Sequence, residues 1–445
     1  MHVNINIPKP VNDILNRLNN NGHEAFVVGG CVRDSFLGRI PEDWDITTSA
    51  FPEQVKKIFD KTYDTGIKHG TVTVLIDHLP YEVTTYRIDG GYEDCRHPTE
   101  VLFTSNIVED LKRRDFTMNA IAYHPDKGFI DPYHGIEDIK HKIIRCVGKP
   151  EERFQEDALR MLRAVRFAAQ LDFIIEKSTF EAIKTNGRLI SKVSSERIRE
   201  ELNKLLLSNH PEKLLLLTET GIMDMILPEF QQCMLTEQHH PYHIYNVGEH
   251  IIETVKNIEP DFILRWTMLL HDMGKALTRT TDEKGMDHFY DHTVKSEEIA
   301  YNILRRLKFD NRSMNKIIRL IKWHDHPIEP TKKAVKRAVR VIGEDIIEDL
   351  FKVKEADMRA QNPEFLQERL IQLEHVKEIY EHIKHSQECF SMKDLAVNGS
   401  DLIDIGFKEG KQIGRVLEKL LDYVIDRPEA NQKEHLLEYA KRYLD

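Results

Sequence analysis

Val28-Gly29-Gly30-Cys31-Val32-Arg33-Asp34, followed nine residues on by Asp43-Trp44-Asp45, is the stretch from which the fold is read. It carries an apolar run, Ala25-Phe26-Val27-Val28, into a double glycine and then to two carboxylates. Four apolar residues ending in glycine predict a buried strand that turns tightly. Trp44 to Ile46 predicts a second strand. Residues two apart on a strand share a face, so Asp43 and Asp45 project together. Adjacent carboxylates repel unless a cation lies between them, which makes this a magnesium site. Two metals about 3.5–4 Å apart can activate an attacking hydroxyl and steady a leaving pyrophosphate. A solvated D-x-D at a strand end is the plainer alternative. The Gly29-Gly30 turn adds weight to the first reading, because its N–H groups can approach a phosphate with Arg33 beside it.

Outward from this stretch, residues 11–20 and Pro52 to Phe59 read as helices. Thr71 to Ile76 and Tyr81 to Tyr86 read as further strands, the last with period-two alternation. These elements make a small α/β head with a mostly antiparallel or mixed sheet. From about Glu151 strand signals stop. Ala158, Met161, Leu162, Val165, Ala168 and Ala169 mark a helix with one apolar face, and helical periodicity dominates from there on. Gly221 and Pro228 break the chain before the His-rich Gln238-His239-His240-Pro241, and Gly274 to Gly285 reads as a polar loop. Val397-Asn398-Gly399-Ser400 separates a last segment of two or three helices.

At 445 residues the chain is expected to form two to four domains. Apolar residues at 40% and charged residues at 31% are globular composition, not disorder. No apolar run approaches the roughly 18–20 residues of a membrane span, and the N-terminus lacks a secretory layout. Cys31, Cys95, Cys146, Cys233 and Cys389 are scattered and odd in number, which excludes a zinc ribbon and argues against disulfides. A reduced, cytoplasmic protein with no membrane partner is expected. The net charge of −11 argues mildly against binding nucleic acid, whose phosphates are held by Lys and Arg. The average hides clusters: Lys112, Arg113 and Arg114 are consecutive, and Arg160, Arg163 and Arg166 recur every three residues.

Arg114-Asp115-Phe116-Thr117-Met118-Asn119 reads either as a helix N-terminus or, with Lys112 and Arg113, as a wall for a triphosphate and ribose. Tyr86 to Pro98 is a long, Gly-rich, charged loop. Asp157 and Arg160 are predicted one turn apart on one helix face. They form a structural salt bridge or they read a base. Cytosine and adenine each present an amino donor beside a ring-nitrogen acceptor, which a carboxylate and a guanidinium complement; uracil and guanine present the reverse. Such a pair admits CTP and ATP and rejects UTP and GTP.

GGCVRD, DWDITTSA, RRDFTMNAIAY, EDALRMLRAVRFAAQL and SSERIREEL, in this order, resemble the successive motifs of bacterial class II tRNA nucleotidyltransferases, the CCA-adding enzymes. The resemblance covers about residues 20–210 closely and returns in GFKEGKQIGRVLEKLLDYVI, Gly406 to Ile425. It implies a polymerase-beta-like head with Asp43 and Asp45 as catalytic, magnesium-binding carboxylates. It implies phosphate contacts from Gly29, Gly30 and Arg33. It implies ribose and triphosphate contacts from Arg114, Asp115 and Asn119, joined by Arg163, and base reading by Asp157 and Arg160. The 3′-hydroxyl of tRNA would attack the α-phosphorus of CTP or ATP in line and expel pyrophosphate; no general base is assigned, since a metal-lowered hydroxyl pKa can suffice, and Glu82 or Asp115 could assist. The Tyr86 to Pro98 stretch falls where the family has a loop needed for the final A, which disfavours an enzyme adding only C-C. Trp44 departs from the family's usual aliphatic residue.

A second constellation lies downstream. His271-Asp272 follows the apolar Trp266-Thr267-Met268-Leu269-Leu270, with His250 before it and His292, His324 and Asp357 after it. The set resembles the HD phosphohydrolase superfamily. On that resemblance His250, His271, Asp272 and Asp357 hold one divalent metal, and His292 and His324 hold a second ion or the substrate phosphate. Mixed imidazole and carboxylate ligation suits Mn, Fe, Ni or Mg. A 2′,3′-cyclic phosphate or a damaged tRNA end would suit as substrate.

The expected architecture is an α/β nucleotidyltransferase head over residues 1–140, followed by all-α domains. These are a helical neck and body with the nucleotide-recognition helix over 141–235, an HD-type domain over 236–385, and a tRNA-binding helical tail over 386–445. Rival expectations are an A-adding tRNA nucleotidyltransferase, a poly(A) polymerase, an HD metal phosphohydrolase whose head only binds RNA, and a silent tRNA-binding protein, the last disfavoured by the intact Asp43 and Asp45.

Overall fold

Ala25–Val28 is a central strand, β1, and all four of its residues are buried. It is followed by β2 (Ile46–Thr48), β3 (Thr62–Gly66), β4 (Thr71–Ile76), β5 (Leu79–Thr85), β6 (Arg87–Asp89), β7 (Val101–Phe103), β8 (Ala122–His124) and β9 (Gly128–Ile130). The computed structural model describes residues 5–91, 100–385 and 392–444. Seven strands form one sheet in the order β3-β4-β5-β2-β1-β8-β9, while β6 and β7 pair separately. Only β2 and β5 run parallel within the large sheet, so it is mixed. The helix Lys9–Asn20 buries Val11, Ile14, Leu15 and Leu18. Each of these side chains contributes about 1.5–3 kcal/mol by leaving water.

The chain divides into two compact units, residues 1–228 and 229–445. In the first, the sheet is followed by helices. Pro150–Glu156 and Leu159–Leu171 are separate helices, because Asp157 between them is extended at φ −142° and ψ 104°. This corrects the expectation of one helix opening at Glu156. Leu159–Leu171 buries Met161, Leu162, Val165, Ala168 and Ala169, the apolar face seen in the sequence. It packs on Ser195–Leu206.

In the second unit, Asn246 and Glu249 form a reciprocal cap that starts Val247–Asn257. Asp261 caps Phe262–Leu270, whose residues Leu264 to Leu270 are all buried. His292–Arg306, Asn311–Trp323, Lys332–Ile342, Glu344–Arg359 and Pro363–His385 follow. The stretch expected as a polar loop contains a short helix, Lys275–Thr278, and a two-residue strand pair, Thr280–Thr281 with Asp287–His288. Gly399–Asp404, Lys411–Asp426 and Lys433–Ala440 enclose a small core of Leu402, Phe407, Leu420, Val424 and Leu436. Among the described residues no helix is long and apolar enough to cross a membrane. Cys31, Cys146 and Cys233 are free and buried, and burial pushes each thiol up to about 12. Cys95, Cys389 and residues 92–98 of the Gly-rich loop lie outside the described residues.

Candidate active sites

The first site grows from the β1 turn. Gly29 has φ +79°, a left-handed conformation that glycine adopts without strain, and a Cβ there would sit 3.0 Å from the Arg114 guanidinium. Asp43 and Asp45 stand in the extended segment just before β2, not on a strand from Trp44 as expected. The backbone is extended there all the same, since Val28 N–H donates to the Asp45 carbonyl at 3.0 Å. The parallel register of Ile46 with Val83 then sets Asp45 beside Glu82 of β5.

Three carboxylates thus converge. The thinning of water around Asp45 raises its carboxyl, Arg114 opposes this, and Asp43 adds to it. Glu82 is raised by the same loss of water and then by Asp45 and Asp43. Mutual repulsion between oxygens that face an open cleft is relieved by divalent cations, so this donor set fits magnesium. A cleft of about 660 Å³ beside it is lined by Gly30, Arg33, Asp43, Asp45 and Arg166 among others.

Behind the carboxylates runs a chain of charged groups. Arg33 lies flat against Asp34, donating at 2.9 and 2.8 Å, and gives its third contact to Asn119 Oδ1 at 2.7 Å. Asn119 donates to Asp115 at 3.0 Å. Asp115 also accepts two bonds from Arg163, at 2.9 and 2.7 Å. Burial alone would raise the Asp115 carboxyl, but Arg163 and Asn119 hold it well below the usual range. Arg163 reaches Glu201 at 3.8 Å, and Glu201 accepts from Arg166 at 2.7 Å. Arg114 and Arg113 both lean on Asp110, a fully buried carboxylate, at 3.6 and 2.7 Å.

Asp157 and Arg160 do not pair with each other. Asp157 is bound by Arg197 at 2.8 Å, whereas Arg160 donates to Glu156 at 2.7 Å and to the Arg113 carbonyl at 2.9 Å. The cause is local: the extended backbone at Asp157 takes it off the face that Arg160 occupies. The salt-bridge alternative between these two residues is therefore excluded. Arg197, Glu201 and Asp110 were not singled out from the sequence. Their partners stand far off in the chain or within charge-rich runs, so no local pattern marks them.

The second site gathers every histidine and aspartate of the downstream constellation. His250 Nε2 lies 3.0 Å from Asp357 Oδ1 and 3.3 Å from Asp272 Oδ2. His271 Nε2 is 3.3 Å from Asp272 Oδ2 and 3.6 Å from Asp357 Oδ1. Each imidazole is oriented from behind by a backbone carbonyl. His250 Nδ1–H donates to Ala360 at 3.2 Å, His271 to Met268 at 2.7 Å, His292 to Phe289 at 2.9 Å and His324 to Ile321 at 2.7 Å. With the proton spent at Nδ1, each ring turns an Nε2 lone pair inward, which is how metal-ligating histidines are held. Both oxygens of Asp272 and His271 Nε2 are buried without an aligned hydrogen bond; Lys275 Nζ, 2.7 Å from Asp272 Oδ2, forms an ion-pair contact. Buried polar atoms left in this way fit a divalent cation.

Gly274 makes this assembly possible. A Cβ there would meet the His292 carbonyl at 2.2 Å and Ser296 N at 2.6 Å. Without a Cβ the backbone comes close enough for the Gly274 N–H to donate to Ser296 Oγ at 2.9 Å, which ties the His292 helix to the His-Asp corner.

A mixed sheet presenting paired carboxylates beside a Gly-Gly turn, backed by an arginine-rich helix, defines a nucleotidyltransferase head on a helical body. Residues 25–145 match the Poly A polymerase head domain family, 172–234 the RNA and SrmB-binding site of polymerase A, and 277–440 tRNA nucleotidyltransferase domain 2. The chain belongs to the CCA-adding enzyme family: it is 36% identical to the CCA-adding enzyme of Ligilactobacillus salivarius over 99% of its own length and 98% of that protein. It is 35% identical to the enzyme of Pediococcus pentosaceus over 95% of each. The solved CCA-adding enzyme of Bacillus stearothermophilus in complex with CTP is 30% identical, with a TM-score of 0.73 and 98% of each chain covered. The Thermotoga maritima CCA-adding enzyme complexed with tRNA shares the fold at 22% identity and a TM-score of 0.60, over 100% of this chain and 97% of that one.

Proposed function

We infer that this protein adds C-C-A to the 3′ end of tRNA from CTP and ATP, without a nucleic-acid template. The observation that carries the reading is relatedness to CCA-adding enzymes along nearly the whole chain. Asp43 and Asp45 hold magnesium, with Glu82 as their neighbour. Bound magnesium lowers the pKa of the attacking hydroxyl and neutralises the leaving pyrophosphate. Gly29, Gly30, Arg33 and Arg114 receive the triphosphate. Asp115, Asn119 and Arg163 fix the wall on which the ribose rests.

Asp157 accepts from the exocyclic amino group and Arg160 donates to the ring nitrogen, which selects C and A. In the free protein each is occupied by a neighbour, so the base must displace the bonds to Arg197 and Glu156. We read the two compact units as four domains divided at 140, 235 and 385. The last part is the tRNA grip: Lys419 lies over Tyr443 at 4.1 Å, Arg442 over Tyr439 at 4.8 Å and Arg427 over Tyr423 at 5.1 Å. Such cation-bearing aromatic surfaces suit RNA. The work is done in the cytoplasm.

The test is incorporation of each labelled NTP into tRNA lacking its last three nucleotides, by wild type and by Asp157→Ala. Ordered C-C-A addition is expected, with base choice relaxed in the variant. Addition of A alone, and only to tRNA already ending in C-C, would replace the reading with an A-adding enzyme.

A second reading is favoured by the inward-facing imidazoles and orphaned oxygens of the downstream site. Residues 236–385 form an HD-type metal phosphohydrolase in which His250, His271, Asp272 and Asp357 hold a divalent ion, Mn, Ni, Fe or Mg. Phosphate release that is lost in His271→Ala while CCA addition persists is the expected result. Release that persists in this variant refutes it.

A further inference from the structure

Trp323 and His324 are successive residues at the end of the helix Asn311–Trp323, and they line two different cavities. Neighbours on a helix point about 100° apart, so His324 serves the buried His-Asp cluster while Trp323 faces another surface. Its cavity, of about 460 Å³, takes its second wall from Lys332–Ile342. That helix buries Val335, Ala338, Val339 and Ile342. Lys333, Arg337 and Val341 recur at intervals of four, which sets two cations and a valine on one stripe. All three line the cavity, and Val341 is 60% exposed. Lys322 Nζ lies over the Trp323 ring at 5.3 Å, and the His326 ring meets it edge-on at 5.1 Å. Both cations of the stripe are held by one carboxylate from the tail. Asp426 lies 3.0 Å from Lys333 Nζ and accepts from Arg337 at 3.2 and 3.4 Å.

We propose that this cavity binds an unpaired nucleotide of an RNA strand, with its base against Trp323 and its phosphate on Lys333 and Arg337 in place of Asp426. The inference goes beyond the transfer reaction and draws on neither cluster of metal ligands. The volume suits a mononucleotide. An aromatic ring in a cavity shared with Ile328 and Val341 offers a stacking face to any base, and two cations one helical turn apart supply the phosphate contact. Charge argues for an anionic partner: in a chain of net charge −11, the cations of this stripe already hold an anion, one carboxylate shared between two. These pairs are half-exposed, where water and salt weaken them, so an incoming phosphate can take the carboxylate's place. Glu329, the one carboxylate among the lining residues, can accept from an exocyclic amino group. A paired base has both faces covered by its neighbours in the stack, so the occupant is single-stranded.

The test uses full-length protein with chelator present, so that no metal-dependent step consumes the probe. Binding of a short labelled oligoadenylate is followed by fluorescence anisotropy over a series of salt concentrations. Trp323→Leu should weaken it at least about 5-fold, the value of one lost base stack. Lys333→Gln/Arg337→Gln should also weaken it and lower the slope of log K against log salt by about 0.7, one phosphate contact on a single strand. Asp426→Asn should act in the other direction and tighten binding, by up to about 5-fold, because the resident anion is gone. A merely structural pair would leave affinity unchanged or weaken it in all these variants, so the opposite signs carry the test. A strand bearing 4-thiouridine should photocrosslink between Lys322 and Val341, as located by mass spectrometry. No measurable binding overturns the site, as do crosslinks that all fall elsewhere with affinity unmoved in every variant. An Asp426→Asn protein that binds no more tightly overturns the exchange of carboxylate for phosphate. Adenosine 5′-monophosphate that competes at equal affinity, with the same variant pattern, gives the cavity to a free nucleotide and overturns the strand. Duplex RNA bound as tightly as the oligoadenylate, and equally weakened by Trp323→Leu, overturns the unpaired base.

Discussion

Asp115→Asn leaves the shape of the first unit almost unchanged but removes the charge that anchors Arg163. The carboxylate takes two bonds from Arg163, at 2.9 and 2.7 Å, one from Asn119 at 3.0 Å, and one from the Phe116 N–H at 2.8 Å. An asparagine can keep its oxygen toward Phe116 and Asn119. Its amide nitrogen then faces the guanidinium, donor against donor. Two charge-assisted bonds are lost, each worth about 1.5–3 kcal/mol and not additive. Arg163 keeps only the more distant Glu201, at 3.8 Å. Breaking one side of a buried pair costs about 3–5 kcal/mol, a large share of the roughly 5–15 kcal/mol that holds a protein folded.

The assay is urea-dependent hydrogen exchange of peptides from Leu159–Leu171, which reports the first unit alone. Asp115→Asn should lower its opening free energy by about 3 kcal/mol or more at pH 7. The double variant Asp115→Asn/Arg163→Met should cost clearly less than the sum of the two single changes. The sign with pH follows from a lowered native pKa. The contribution is complete above the unfolded value near 3.9 and fades as pH falls below it. A loss under about 1 kcal/mol, or strict additivity in the double variant, would refute the buried-anchor argument.

Three more outcomes are expected. Asp45→Asn should abolish labelled-CTP incorporation, a fall of at least about 10³-fold, with the melting transition unmoved; retained activity would remove Asp45 from the metal site. Arg197→Met frees Asp157 from its partner, so KM for CTP and ATP should drop or hold with selectivity kept; entry of UTP at a comparable kcat/KM would show Arg197 itself to be part of the reading pair. Burial alone would raise Glu176, but bonds from Ser178 and Thr179 bring it down to about 2 as it caps Lys177–Asn186. Glu176→Ala should therefore cost about 1 kcal/mol above pH 5, and the difference from wild type should close as pH falls from 4.5 toward 2; a pH-independent difference would exclude the charged cap.

Periodicity carried much of the fold, and where it failed the reasons are physical. β1 and β4 were legible because buried strands are apolar runs, and the helix from Leu159 because its apolar residues recur at three and four. β3 was missed: Thr62–Gly66 reads TYDTG, an exposed edge strand that needs no alternating apolar face. β8 and β9 were missed because three residues hold too little pattern. The residues that the structure gathers around Asp45 and around Asp272 were singled out by motif order, while their ion-pair partners were not. Glu201, Asp110 and Arg197 answer Arg166, Arg113 and Asp157 by tertiary contact, and charge alone does not name a partner. The extended backbone at Asp157 was also hidden, since Glu-Asp-Ala-Leu-Arg carries no glycine or proline to announce it.

The partners of each carboxylate divide the acidic residues of this protein by purpose. Asp110, Asp115 and Glu201 are buried and each meets an arginine, so their charge is balanced within the protein and their work is to hold shape. Asp45 and Glu82 are raised by loss of water and by neighbouring carboxylates, with Arg114 opposing this at Asp45, and neither meets an ion pair among the described residues. Asp272 and Asp357 face imidazoles whose protons are already committed to backbone carbonyls. Lys275 balances one oxygen of Asp272 and Arg114 offsets part of the charge at Asp45, and the donor atoms left over at each place fit a divalent cation. Asp157 sits between these classes. Its contact with Arg197 is half-buried, and Arg197 is its one ion-pair partner among the described residues. On the proposed base-reading role, the carboxylate is held by Arg197 at rest and must be released before it can accept from a nucleotide.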